Sequence, residues 1–204
     1  MSKIVNPKDV FYQYFPASAV EYCFQLWQQY QFYFKINKKR QTRLGDYRFH
    51  TITKLHTITV NADLNPLSFL VTYLHEVAHL INQVKNGSKV EPHGKEWKNE
   101  FIAIAKPMLN TEVFPSFVLD VLAKYFKNPK ASSCSDHELQ KALQWFDEGG
   151  DHLYLSDIQI GKLFEFNKRQ FQKEEIRRTR ILCKEIATGK KYLISKMAKV
   201  SALG

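Results

Sequence analysis

The spacing of hydrophobic and polar residues changes several times along the chain, and each spacing predicts a different element. Residues 17–34 place apolar side chains three and four positions apart, which predicts an amphipathic helix. Residues 32–36 and 54–64 alternate between apolar and polar positions, which predicts strands. Gly45 and Asp46 lie between these strands and are typical of a turn. The N-terminal part therefore predicts a short antiparallel sheet of two or three strands.

Helical spacing returns after this sheet. The longest such segment runs roughly from residue 67 to 85, with Ser68 as a candidate N-cap and Gly87 as a C-terminal stop. Two shorter helices are predicted at residues 94–109, where Pro107 should end or kink the first, and at residues 114–126. Residues 67–126 are therefore expected to be mainly helical.

A change of composition at residues 128–136 indicates a domain boundary. A helix over residues 137–147 is predicted next, and from residue 153 onward short alternating runs are separated by turn signals. We therefore predict an α+β fold with three parts. The parts are a first domain over residues 1–130, a linker with a short helix over 131–152, and a small β-rich, barrel-like module over 153–204.

Composition narrows the class of protein. The chain has 204 residues, of which 44% are hydrophobic and 14% aromatic, and this argues against disorder. The sequence contains neither a signal-like apolar run nor an 18-residue apolar stretch, so we expect a cytoplasmic protein without a membrane partner. The cysteines Cys23, Cys134 and Cys183 form no CxxC pair, so the sequence indicates neither a disulfide framework nor a cysteine zinc ribbon.

Positive charge is concentrated in two segments. The net charge is +10, and basic residues cluster in residues 35–54 and again in 162–199. Such clusters are as often solvated surface as they are sites for a polyanion, but two of them around a candidate site favour nucleic acid. The candidate contacts are Lys38, Lys39, Arg40, Arg43, Arg177, Arg178 and Arg180. Aromatic residues between the C-terminal basic ones could stack on bases, but we expect them to form the core of the module.

Residues 74–80, Leu-His-Glu-Val-Ala-His-Leu, place three polar side chains in an apolar helical run. His75 and His79 are four residues apart and therefore project from one helix face, with Glu76 beside them. This H-E-x-x-H spacing is typical of two zinc ligands and a carboxylate base. The alternative is a pair of core histidines that are satisfied by hydrogen bonds.

A catalytic zinc site needs a third protein ligand. One known arrangement has glycine three residues and histidine six residues after the second histidine, but Asn82 and Lys85 occupy those positions. His93 lies in a loop before the next predicted helix and can turn back toward the first one. We favour His93, and Glu96 and Glu100 remain alternatives.

Three segments, taken together and in order, resemble the SprT-like family of zinc metallopeptidase domains, over residues 15–110. They are TRLGDYR at 42–48, HTITVNADLNPLSFLVTYLHEVAHL at 56–80 and PHGKEW at 92–97. The resemblance implies zincin-like helices packed on a small antiparallel sheet. It also implies one zinc ion per chain at His75, His79 and His93, with Glu76 as catalytic base and Trp97 packed behind the third ligand.

The resemblance implies a function as well. The expected reaction is peptide hydrolysis by a zinc-bound water whose proton Glu76 accepts. The expected partners are a protein substrate and DNA, because the chain is basic and because the family includes a eukaryotic protease of DNA–protein crosslinks. Tyr47 and Tyr73 are both candidates to stabilise an oxyanion, whereas His50 and His56 are expected to be ordinary surface or edge residues.

This chain departs from many family members in its C-terminal part. Those members carry a four-cysteine zinc ribbon after the protease domain, whereas Cys134 and Cys183 are the only cysteines in this part of the chain. DNA binding through a ribbon therefore cannot be carried over. The alternative function is a non-catalytic, zinc-containing nucleic-acid-binding module or a regulator.

Overall fold

The computed structural model describes residues 7–40, 42–130, 136–147, 153–177, 180–196 and 198–203. The helices are α1 Pro7–Tyr14, α2 Val20–Tyr30, α3 Pro66–Asn86, α4 Lys95–Ala105, α5 Ser116–Tyr125 and α6 His137–Gln144. The strands are β1 Tyr33–Asn37, β2 Gly45–His50, β3 Leu55–Asn61, β4 Leu163–Phe166, β5 Arg169–Ile176, β6 Arg180–Glu185, β7 Lys191–Ser195 and β8 Ser201–Ala202. The predicted α+β class with a β-rich C-terminal part is confirmed.

The N-terminal sheet is mixed, which corrects the expectation of an antiparallel one. Its order is β1-β3-β2, with β1 parallel to β3 and β2 antiparallel to β3. Strands β1 and β2 therefore lie at opposite edges of the sheet, with β3 between them. Because β3 ends in four consecutive buried residues, the central position in the sheet suits it best.

The prediction of a turn at Gly45 and Asp46 was wrong. Both residues lie inside β2, where they pair with Val60 and Thr59 of β3. The chain instead reverses at residues 51–54, where Lys54 takes a positive φ of 56°. A Gly-Asp pair is a local turn signal, and here tertiary contacts override it.

Helix α3 begins one residue earlier than predicted and has a different cap. Asn65 is the N-cap, because its side-chain oxygen accepts a hydrogen bond of 2.9 Å from the Ser68 amide. Pro66 occupies the first helical turn, where a missing N–H costs nothing. The prediction of Ser68 as cap was therefore wrong, whereas the predicted stop at Gly87 is confirmed.

Aromatic side chains fill the core around α3. Tyr73 of α3 contacts Phe11 of α1, Phe15 and Phe34, with ring centroids 4.9–6.0 Å apart. Helix α1 was not predicted, because eight residues are too few for a clear helical period. The burial of Phe11 against this cluster is what stabilises α1 in the fold.

The C-terminal module forms a second sheet with its own core. The strand order is β7-β6-β5-β4-β8, and its recorded pairs are antiparallel. Phe164 and Phe171 are buried in its core, which confirms that these aromatics pack inside rather than stack on a ligand. Strands β7 and β8 lie at opposite ends of this order, so the sheet formed by the described residues is open.

Helix α6 of the predicted linker connects the two parts. Leu139 and Leu143 of α6 are buried in the first core, and Lys141 forms an ion pair with Asp157 near the start of the second module. The exact domain limits stay a prediction. None of the described helices is long and apolar enough to cross a bilayer.

Candidate metal and acid–base site

Three histidines meet beside α3. His75 and His79 lie one turn apart on α3, and His93 comes from the loop that precedes α4. One ring nitrogen from each lies within 4.8 Å of the others, and the Nε2 atoms of His75 and His79 are 3.3 Å apart. Three convergent imidazole nitrogens could hold a metal ion.

The chemistry of these histidines suits a metal. Burial, together with the charges of the neighbouring histidines, lowers the pKa of His75 and of His79 to about 3. Burial also lowers the pKa of His93. The rings are therefore neutral near pH 7, the state in which a nitrogen lone pair can bind a metal. The His93 Nε2 atom is buried and has no hydrogen-bond partner among the described residues, as expected of a nitrogen that binds a ligand.

The two glutamates that were alternatives to His93 as the third ligand do not join the histidine group. Glu100 accepts a hydrogen bond of 2.8 Å from the Lys85 ammonium group. Glu96 is exposed, and neither glutamate belongs to the three-residue group. The geometry thus brings His93, rather than a glutamate, to His75 and His79, and its role as a ligand stays a prediction.

Trp97 is the common support of the three rings. It is fully buried on α4, and its ring centroid lies 4.7 Å from that of His75, 5.2 Å from His79 and 4.8 Å from His93. The expected contact with His93 is present, and the contacts with the other two rings add to it. A rigid indole against all three imidazoles restricts their rotation.

Glu76 lies in the same cleft as the histidines and is held against β2. Glu76 is 7% exposed. The pKa of Glu76 is raised to about 8. Burial is the main cause and nearby Asp46 contributes, whereas Arg40, the Tyr47 backbone amide and Arg43 oppose the shift. A bound cation would lower this pKa, because it stabilises the carboxylate. The group can thus exchange a proton near neutral pH.

Gly45 makes room for Glu76. A Cβ atom built on Gly45 would lie 2.5 Å from Oε1 and 2.8 Å from Cγ of Glu76. Gly45 has an ordinary β conformation. A glycine is therefore needed here because the Glu76 side chain approaches the backbone closely, and not because of an unusual φ. This role of Gly45 was not recognised from the sequence, because Gly45 and Asp46 were interpreted as a turn.

The structure separates the two candidate tyrosines. Tyr73 is fully buried, and its hydroxyl donates to the Cys23 carbonyl in the core. Tyr47 lies in the histidine cleft, with its ring stacked 6.3 Å from His79. Its hydroxyl is hydrogen-bonded to His56 Nδ1 at 2.8 Å, so His56 supports the site rather than being an ordinary edge residue.

The histidine cleft is an open cavity of about 700 Å³ between α3, β2 and the loop before α4. Its lining includes His75, Glu76, His79, His93 and Tyr47. A volume of this size falls in the usual range for binding sites.

The predicted nucleic-acid residues divide among several places. Arg43 lines the histidine cleft and pairs with Asp46 at 2.6 Å. Arg177 pairs with Glu175, Lys38 is exposed, and Arg178 lies outside the described residues. The other three predicted residues line a second cleft; they are Lys39, Arg40 and Arg180.

Comparison with known proteins agrees with this geometry. A model of the SprT-like family matches residues 13–115, which include the histidines, Glu76 and Trp97. This chain belongs to the SprT-like family. No curated protein and no solved structure matched the chain. The resemblance inferred over residues 15–110 is thereby confirmed. The match ends before α5, so the SprT-like assignment does not extend to α6 or the C-terminal module.

Proposed function

We propose that this protein is a zinc-dependent peptidase of the SprT-like type, with Glu76 as its acid–base residue. The observation that carries the proposal is the convergence of three neutral histidines with a buried carboxylate in one open cleft. Membership of the SprT-like family supports the same class of reaction.

The three histidines would hold the metal. Zinc bound there would supply Lewis acidity, polarising the scissile carbonyl and making water nucleophilic near pH 7. Trp97 keeps the imidazoles oriented, because it packs against all three rings. The lowered pKa values of His75 and His79 keep both rings neutral, so that each ring has one unprotonated nitrogen.

Glu76 would move the proton. As a carboxylate it accepts a proton from the attacking water at a side-chain oxygen, and it later delivers that proton to the nitrogen of the leaving amine. The contact with Gly45 and the hydrogen bond from the Tyr47 amide hold the carboxylate in one place. Little reorganisation is then needed when the proton moves.

Strand β2 and Tyr47 would position the substrate. Strand β2 lies at the edge of its sheet, and Gly45, Asp46 and Tyr47 of this strand line the histidine cleft. An extended peptide can pair with such an edge through backbone hydrogen bonds. The Tyr47 hydroxyl would donate to developing negative charge on the carbonyl oxygen in the His56 tautomer whose Nδ1–H donates to that hydroxyl.

Proteins associated with DNA are the proposed substrates. Support comes from the net charge of +10, which attracts polyanions and the proteins bound to them. A basic DNA-binding protein is therefore a suitable test substrate.

The test compares two carboxylate variants of the full chain. Glu76→Gln should retain one metal ion per chain and lose cleavage of a DNA-bound protein by at least about a hundredfold. Glu96→Gln, which changes an exposed glutamate on α4, should match the wild type in both measurements. Removal of the metal with a chelator should stop cleavage, and added zinc should restore it.

Two outcomes would overturn the proposal. Cleavage that survives the chelator would rule out metal-dependent hydrolysis. A wild-type chain that binds one metal ion and nucleic acid but cleaves nothing would favour the non-catalytic, zinc-containing binding module instead.

A further inference from the structure

A second cleft lies between the SprT-like domain and the C-terminal module. Its volume is about 710 Å³, and it is lined from the loop before β2, the start of α3, helix α6 and strands β6 and β7. Four cations and two carboxylates line it, namely Lys39, Arg40, Arg180, Lys199, Asp63 and Asp147. We call it the arginine cleft.

The two carboxylates already have partners. Asp63 lies 3.3 Å from the Lys39 ammonium group, and Asp147 lies 4.0 Å from that of Lys199. Neither Arg40 nor Arg180 has a carboxylate within salt-bridge distance in the described part of the chain. Among the described residues, the cleft therefore holds two guanidinium groups without a salt-bridge partner, one from each module.

Both guanidinium groups are held by neutral acceptors. Arg40 Nε donates to Asn61 Oδ1 at 2.8 Å, and Asn61 is itself 1% exposed. Arg180 Nη1 donates to the Leu193 carbonyl at 3.1 Å. These neutral acceptors orient the groups without a salt bridge, and within the described part of the chain Arg40 Nη2 is buried without a hydrogen-bond partner. A buried donor on an unpaired cation indicates a missing anionic acceptor.

We propose that the arginine cleft binds the phosphodiester backbone of a single nucleic-acid strand through Arg40 and Arg180. Guanidinium groups match phosphate oxygens in geometry and in charge. A duplex presents its phosphates on a convex surface, whereas a single strand can enter a recess between two modules. Polar side chains of Gln140 and Ser68 in the lining offer further hydrogen bonds to a strand.

The arginine cleft adjoins the histidine cleft. Ser68 and Thr72 of α3 line the arginine cleft, and His75 and Glu76, one turn further on, line the histidine cleft. Leu44, the last residue before β2, lines the arginine cleft, and Gly45, the first residue of β2, lines the histidine cleft. A strand in the arginine cleft would thus bring its bound proteins beside the proposed peptidase site.

The test measures binding of a fluorescent single-stranded oligonucleotide to the full chain over a range of salt concentrations. The variant Arg40→Gln/Arg180→Gln should bind at least about tenfold more weakly than the wild type. Its plot of log affinity against log salt should be shallower by about 1.4, the value for two lost phosphate contacts on a single strand. The control Lys162→Gln/Lys184→Gln removes the same charge from two exposed residues outside the lining.

The lysine control and competition by inorganic phosphate decide how the binding result is interpreted. Near wild-type binding by the lysine control supports the cleft, whereas an equal loss in both variants would show a diffuse charge effect and overturn it. Unchanged affinity and salt slope in the arginine variant would also overturn it. Competition by inorganic phosphate that equals the oligonucleotide per phosphate would identify a small-anion site instead of a strand site.

This inference names a partner of the proposed peptidase but is measured without cleavage. If the arginines control binding and no protein is ever cleaved, the cleft stands and the proposed function fails. If cleavage depends on Glu76 while the arginine variant binds normally, the peptidase stands and the cleft fails.

Discussion

Gly45 and Glu76 touch so closely that no side chain can stand between them. A Cβ atom on Gly45 would lie 2.5 Å from Oε1 of Glu76, well inside van der Waals contact. The backbone of β2 therefore forms one wall of the position that the carboxylate occupies. The relationship couples an edge strand to the proposed acid–base residue across two elements that are distant in sequence.

The variant Gly45→Ala should displace the Glu76 carboxylate. We expect a loss of kcat of at least about tenfold, because misplacement of a catalytic group by about 1 Å can cost a hundredfold. Metal content should be unchanged, since the added methyl group meets Glu76 and Thr72 rather than the histidines. Steady-state kinetics and metal analysis of the same preparation check this.

The control for Gly45→Ala is Gly161→Ala. Gly161 has a φ of +84° and open space around it, so alanine there should lower stability through the backbone alone. Equal loss of kcat in both variants would show that instability, rather than displacement of Glu76, is the cause.

The variant Trp97→Phe should weaken metal binding. The smaller ring loses part of its contact with the three imidazoles and leaves them freer to rotate. Supporting residues of this kind typically contribute about 10–100-fold in metal affinity. Competition with a chromophoric chelator measures this affinity.

Phe69→Leu provides the comparison, because Phe69 is equally buried but packs against Phe15 away from the histidines. It should lower the free energy of unfolding and leave metal affinity within about twofold of the wild type. Wild-type affinity in Trp97→Phe would contradict a positioning role for the indole.

The variant Asn65→Ala should destabilise the fold by about 1–3 kcal/mol. Asn65 caps α3, and its amide group also donates to the Leu143 carbonyl at 2.9 Å and to Asp147 at 2.7 Å. Urea unfolding measures the change in the free energy of unfolding. Asn65→Ser keeps a capping oxygen but not the two donated hydrogen bonds. Its stability should therefore fall between that of the wild type and that of Asn65→Ala. Equal stability of Asn65→Ser and wild type would mean that only the cap matters.

Acid should weaken the C-terminal module through Glu185. The hydrogen bond from Arg169, and then that from Thr188, lower the pKa of Glu185 from 4.5 to about 2. A lowered pKa in the folded state contributes stability above pH 4.5, and this contribution is lost as the pH falls toward 2. We expect the free energy of unfolding in urea to decline over this window.

Glu185→Gln should remove that part of the pH dependence and be less stable than the wild type at pH 7. Glu175→Gln, which changes an exposed glutamate of the same sheet, should keep the wild-type dependence between pH 4.5 and 2. A Glu185→Gln profile that runs parallel to the wild type would contradict the assignment.

Local spacing was sufficient for the centre of the site. His75 and His79 share one face because four residues make about one helical turn, and this holds wherever the helix packs. The same reasoning predicted the stop of α3 at Gly87 and several C-terminal strands, since these depend on neighbours in sequence.

Only the tertiary structure decided three features of this protein. They are the role of Gly45, the presence of Tyr47 rather than Tyr73 in the histidine cleft, and the proximity of Arg40 to Arg180. Each depends on contacts between residues that are far apart along the chain, and local patterns carry no information about such contacts. The glycine resembled a turn residue because its partner, Glu76, lies on another element. The two basic segments looked separate because only the docking of the C-terminal module brings one arginine from each into the same cleft.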